Sequence, residues 1–179
     1  MNIEFYNTFL ATLVVIAQIW FFVVLGALLL AKKSKQKCGL VTFVANNYLW
    51  ITLAFSVAGF LGSLGYSEII GFTPCKLCWF QRITLYPVMI LSAVGLYKKD
   101  QKVLPDYIIT LMIIGSLIGM LHLYLQFTPN TLDCATTGQG VSCSKNWVRE
   151  WGYITIPMMC LTAHLNTLLA AVVSKLENK

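Results

Sequence analysis

Charge is scarce in this 179-residue chain: Lys, Arg, Asp and Glu make up 11% of it, roughly half the share found in a typical soluble domain. The shortage excludes a soluble globular domain, whose surface would be far more charged. Acidic residues are rarest, 7 against 13 basic ones. The chain also lacks internal repeats, low-complexity tracts and any composition shift that would mark a separate soluble domain. Before its first apolar run there is no basic segment, since Glu4 is the only charge there. A cleaved signal peptide is therefore disfavoured, and a retained transmembrane helix is expected instead.

Hydrocarbon fills the space that charge leaves. Hydrophobic residues reach 58% and mean hydropathy is +0.72, with the apolar residues in long unbroken runs. Five runs are each near the roughly 20 residues that a helix needs to cross a bilayer: 9–31, 48–70, 79–97, 106–127 and 153–174. The expected fold is an all-α integral membrane protein.

Lys32, Lys33, Lys35 and Lys37 follow the first run, Lys98, Lys99 and Lys102 the third, and Lys175 and Lys179 the fifth. The opposite side mixes signs, with Glu4, Glu68, Lys76, Asp133, Lys145, Arg149 and Glu150. The positive-inside rule then puts the amino terminus outside and the carboxyl terminus in the cytoplasm. The net charge of +6 comes from short juxtamembrane clusters, which read as topology determinants and contacts to anionic membrane lipid. Nucleic-acid binding is not expected.

This orientation, drawn without the cysteines, puts Cys75, Cys78, Cys134 and Cys143 outside, where disulfides persist. Cys38 falls in the cytoplasmic loop and Cys160 about two turns inside the fifth run. For Cys134 and Cys143, with eight residues between them, a static staple and a redox pair are both open. Cys75-Lys76-Leu77-Cys78 is more specific, because two intervening residues at a helix entrance make the tight ring of a dithiol oxidoreductase. Zinc ligand sets usually come from paired CxxC knuckles. The second pair is C-x8-C, so no metal is expected.

Pro74 suits a helix start, which sets Cys75 and Cys78 at an amino-terminal turn. Unpaired N–H groups and the helix dipole there favour a thiolate. Arg82 follows Cys78 by four residues, on the same face about 6 Å deeper. It either snorkels to headgroups or serves as a donor toward an electron acceptor beside Cys78. Trp79, Phe80 and Tyr86 are belt aromatics or the flat wall of a quinone pocket. His122 and Gln126 add polar groups at similar depth on the fourth run, either functional or interhelical. His164, deeper in the fifth run, reads as packing or an interhelical bond. Ala54, Ala58 and Gly62, like Gly115 and Gly119, recur at four-residue spacing and predict close helix approach.

Pro74-Cys75-Lys76-Leu77-Cys78-Trp79-Phe80-Gln81-Arg82, with Tyr86-Pro87 after it, resembles the PCxLCWxQR motif of the DsbB/BdbC family of membrane quinone-dependent thiol oxidases. His122 to Gln126 is similar to that family's HxxLQ-like stretch, and Gly152 to Met158 to its GFITIPM stretch. The resemblance covers about 48–174. It implies a four-helix bundle core there, with 1–47 as an extra amino-terminal transmembrane helix plus basic loop and 175–179 as a cytoplasmic tail. It further implies a multi-pass protein of the bacterial cell (inner) membrane. A DsbA-like thioredoxin-fold partner outside the cytoplasm would pass electrons through Cys134–Cys143 to Cys75–Cys78. From there they would reach a quinone, ubiquinone or menaquinone, held by Cys78, Arg82, Trp79, Gln81, Tyr86, His122 and Gln126. Two features depart from the family pattern: the extra first span, and a second cysteine pair closer together than in the DsbB branch. The rival readings are a disulfide-stapled scaffold and a thiol reductase running electrons outward.

Overall fold

The computed structural model describes residues 3–34, 38–98, 103–128 and 142–177. Among them the order is α1 (Ile3–Ser34), α2 (Gly39–Asn46), α3 (Tyr48–Leu64) running on into a π turn (Gly65–Ile69), α4 (Lys76–Lys98), α5 (Leu104–Phe127) and α6 (Ile156–Glu177). No strand occurs among the described residues, only an isolated antiparallel bridge between Glu150 and Ile154. Among the described residues, five helices are long and apolar enough to cross a membrane, and they coincide with the five apolar runs to within a few residues. The fold is therefore an all-α membrane bundle with one helix beyond four.

The segment after α1 is not a loop throughout. Gly39–Asn46 forms a two-turn helix because Val41, Val44 and Ala45 make an i, i+3, i+4 stripe that is buried against α1 and α6. The start of α6 also moves inward from 153 to Ile156, with Pro157 in its first turn, where a missing N–H costs nothing.

α6 is the hub, packing on α5, α3, α1 and α2. Gly115 is what lets α5 close on it: a Cβ there would stand 2.2 Å from the His164 ring. His164 is fully buried. Its Nδ1 donates to the Cys160 carbonyl at 2.8 Å, and its Nε2 meets Thr84 Oγ1 of α4 at 2.9 Å. Thr52 and Ser92 likewise join α3 to α4 at 2.8 Å. Such pairing is what a hydrocarbon surround demands of polar groups. The main core, with Tyr48, Leu85, Ile108, Met112 and Val173, lies away from the thiols. A smaller cluster of Cys75, Leu77, Leu125 and Cys143 forms the other end.

α1 rides on the outside, with Phe5, Phe9, Ile19, Phe22 and Leu30 among its exposed residues. Hydrogen bonds fasten it at two levels. Near its start, Tyr6 Oη donates to the Gly62 carbonyl (3.3 Å) and Tyr66 Oη donates to Asn7 Oδ1 (3.0 Å). Midway, Gln18 Nε2 donates to Thr162 Oγ1 (3.3 Å), Tyr153 Oη donates to Gln18 Oε1 (3.0 Å), and Asn166 Nδ2 donates to the Ala17 carbonyl (3.2 Å).

Candidate active site

Gly71, at φ +82°, turns the chain out of the π turn in a conformation that costs glycine little, and the loop runs through Pro74 to Cys75. The Cys75 carbonyl accepts from the Trp79 N–H at 3.2 Å, so Cys75 sits at the edge of the first turn of α4 and Cys78 lies within that turn. Their Sγ atoms are 3.5 Å apart. That is well beyond the roughly 2.05 Å of a disulfide and suits an S–H···S hydrogen bond. Cys75 Sγ also lies 3.5 Å from His122 Nε2, and His122 Nδ1 lies 3.3 Å from Gln81 Nε2. With the Gln81 amide donating to Nδ1, the ring proton sits on Nε2 and faces Cys75.

The helix mouth does not lower the pKa of Cys75. Its hydrogen bond to Cys78, followed by burial, pushes the thiol up to about 12, and His122 only partly opposes this. The dipole argument fails here because Cys75 is the donor of the pair and its sulfur is buried; desolvation favours the neutral thiol.

Arg82 is 92% buried, the complement of its 8% exposure. It does not reach back to solvent. Its Nη2 donates to the Ser63 carbonyl at 3.0 Å, beside the π turn, and that carbonyl also accepts from Ser67 Oγ at 3.2 Å. Its guanidinium lies 5.2 Å from the Trp79 ring centre. Arg82 Nε is buried with no hydrogen-bond partner among the described residues, and so is Gln126 Oε1. Both side chains border an apolar cavity of about 570 Å³ that also takes in Cys75, Cys78, Gln81 and His122. That size falls in the usual range for small-molecule sites.

The three expected wall residues stand elsewhere: Phe80, like Trp79, is about half exposed. Trp79 is about half exposed, because it follows Cys78 by one position and so faces away from the bundle. Tyr86 packs edge-on against Phe60, with ring centres 4.8 Å apart, one turn past Arg82. None of the three borders the cavity. Gln81 borders it but is engaged in orienting His122. Cys143 is buried in the small cluster with Cys75 and also borders the cavity. Cys134 lies outside the described residues.

Sequence reasoning missed several neighbours. Cys160 borders the cavity from α6. An aromatic column crosses the thiol end: Trp147 stacks on Phe72 (4.7 Å), Phe72 on Tyr66 (6.0 Å), and Tyr66 meets Tyr6 edge-on (5.2 Å). The column ties the segment after Cys143 to the loop before Cys75 and to α1. The signal was present as aromatics clustered at span ends, but such residues also occur as plain membrane-belt anchors.

The donor set suits a carbonyl-bearing acceptor: an unengaged N–H on a buried cation, two thiols and apolar walls. The cluster of Cys75, Cys78 and His122 also has ligand atoms all within 4.8 Å of one another, so the thiols and the imidazole act on one small volume.

Against known proteins, residues 46–175 match the family model described as Disulfide bond formation protein DsbB. The chain is 34% identical over 118 residues to Disulfide bond formation protein C of Bacillus subtilis (strain 168), covering 66% of this chain and 85% of that one. It is 38% identical over 118 residues to the SPbeta prophage-derived disulfide bond formation protein B of the same strain, covering 66% and 78%. Over 139 residues it is 28% identical to Probable disulfide formation protein C 2 of Bacillus anthracis, covering 78% and 98%. No solved structure matches.

Proposed function

The chain belongs to the DsbB family of disulfide bond formation proteins, and from that premise we propose that it is a quinone-dependent thiol oxidase that reoxidises a DsbA-like thioredoxin-fold partner outside the cytoplasm. Membership itself makes it a multi-pass membrane protein of thiol–disulfide chemistry. The finer reading rests on one observation: Cys75, Cys78, His122 and the unengaged N–H of buried Arg82 open onto a single apolar cavity. In this reading 48–174 is the catalytic core, with 1–47 as an added helical segment and 175–179 as a tail. The amino terminus and the redox cysteines lie outside, in line with the lysine distribution.

A partner thiolate attacks the Cys134–Cys143 disulfide, at Cys134, and the second partner thiol resolves the mixed disulfide. The partner leaves oxidised, and Cys134 and Cys143 become thiols. These two then reduce the Cys75–Cys78 disulfide by the same exchange. His122, held by Gln81, directs Nε2–H at Cys75 and steadies negative charge on that sulfur. Arg82, one turn beyond Cys78, offers Nε–H to an acceptor oxygen, while Gln126 borders the same space and the apolar walls exclude water. A quinone bound there supplies the sink for the two electrons and two protons released as Cys75 and Cys78 close to a disulfide.

Purified protein given a reduced thioredoxin-fold dithiol and a quinone should produce one disulfide per quinol. Removing one charge-assisted bond corresponds to about 1.5–3 kcal/mol. Arg82→Ala should therefore slow quinone reduction by about tenfold to a hundredfold, with partner exchange intact. Unchanged quinone kinetics would remove Arg82 from the mechanism, and failure with every quinone would overturn the function.

A further inference from the structure

The cavity at the thiols is not confined to the family core. One of its walls is α1, from Leu10, Leu13, Val14, Ala17 and Trp20, and α1 lies outside the matched residues 46–175. These positions form a single i, i+3, i+4, i+7, i+10 stripe along about 15 Å of helix axis. Across the gap stand Ala54, Ala58 and Gly62 of α3. Small residues at that spacing ordinarily admit a neighbouring helix, as Gly119 admits Leu161, whose nearest atom would be 3.1 Å from an added Cβ. Opposite Gly62 an added Cβ would make only ordinary contact with Leu10, at 3.7 Å and 3.9 Å, so α1 stands back from α3 here by the depth of a methyl group.

The polar ties of α1 explain how the gap persists. Tyr6 and Asn7 tie one level to α3 and its π turn, and Ala17 and Gln18 tie the other to α6, so the apolar stretch between them is held by its ends and not along its length. At the thiol end the same cavity reaches Arg82, a side chain 92% buried (8% exposed) whose Nε has no partner among the described residues. A single space thus joins a polar anchor to a long apolar slot.

We infer that this slot, between α1 and the small-residue stripe of α3, receives the apolar isoprenoid tail of the quinone whose ring lies by Arg82, so that α1 sets the preference for tailed over tail-less acceptors. The inference rests on the quinone reading above and adds a subsite to it.

The test compares menaquinone-4 with menadione, and ubiquinone-4 with ubiquinone-0, on the full chain and on two variants that fill the slot from opposite walls, Ala17→Phe and Ala58→Phe. Each variant should raise KM for the tailed quinone by about tenfold or more, from displaced apolar contact. KM and kcat for the tail-less one should stay within about twofold, which also shows that the variant is folded. A quinone carrying a diazirine at the tail end should, by mass spectrometry, label the α1 peptide containing residues 10–20. Equal KM shifts for both members of a pair, no shift in either variant, or label confined to α4–α6 would overturn the tail subsite while leaving the oxidase reading intact. Wild-type protein that reduces none of the four quinones would instead overturn the oxidase reading itself, and the subsite with it.

Discussion

Replacing Cys78 with alanine should make Cys75 easier to ionise, although it removes the thiol nearest to it. Cys75 donates its S–H to Cys78 Sγ at 3.5 Å, and this bond is the largest reason its pKa rises from the ordinary value of 9.0 to about 12. Without the acceptor only burial still raises it, while His122 pulls it down. A raised pKa means that the proton stays on as pH climbs, so thiolate appears late. Each unit is tenfold in thiolate, so at pH 9 about one Cys75 in a thousand is ionised, against about half for an unperturbed thiol. Since only the thiolate alkylates, reduced protein can be treated with iodoacetamide across a pH series and the Cys75 peptide quantified by mass spectrometry. The shape of the profile is diagnostic, because burial slows every point alike. Wild-type labelling should climb about tenfold per pH unit without levelling below about pH 11. Cys78→Ala should level at least about one unit sooner. A wild-type plateau near pH 9, or superimposable profiles, would refute the hydrogen-bond account.

Gly115→Ala should cost about 1–3 kcal/mol by overpacking, because the new Cβ meets the His164 ring at 2.2 Å and Thr84 Oγ1 at 2.6 Å; an unchanged melting temperature in detergent would contradict this packing. Gln81→Ala should free the His122 ring and slow exchange at Cys75 several-fold with the melting temperature nearly kept, read by stopped-flow thiol exchange; equal rates would show that the ring needs no support. Lys175→Ala breaks the Lys175–Asp106 pair, whose side chains are 44% and 55% exposed. It should change stability by less than about 1 kcal/mol, and a larger loss in chemical denaturation would show that this pair holds α5 to α6.

The membrane spans were legible because hydrocarbon thickness dictates their length, so the runs and the helices coincide. Cys75, Cys78, Arg82, His122 and Gln126 were legible as a group, since their spacing puts them at one depth and mostly on inward faces. What failed was azimuth. Trp79 is adjacent in sequence to Cys78, yet about 100° of helix rotation turns it outward, and Tyr86 is spent on Phe60. Ala54, Ala58 and Gly62 read as a contact stripe because small residues permit approach; nothing in the sequence says that Tyr6, Asn7 and Gln18 fasten the neighbour at its ends and leave a cavity along the stripe. The raised Cys75 thiol was hidden for a similar reason, because a helix-end rule cannot say which sulfur donates. Helix α2 escaped notice because eight residues among lysines resemble a loop until α6 supplies a surface for Val41 and Val44.

The π turn at Gly65–Ile69 has a consequence for how this segment can vary. It winds in one residue more than an α-helical turn holds, so it stores chain length inside an otherwise continuous rod. Losing one residue there would let the backbone relax to ordinary α-helix with its hydrogen bonds remade. Because the wide turn already absorbs the extra residue, the loop that delivers Pro74 and Cys75 would keep its direction, whereas a residue lost from the α-helical part of α3 would turn that loop by about 100°. A one-residue gap at these positions in a comparison of related chains therefore leaves the thiol entrance aimed as it is, whereas a gap of the same size within 48–64 signals a rotated one.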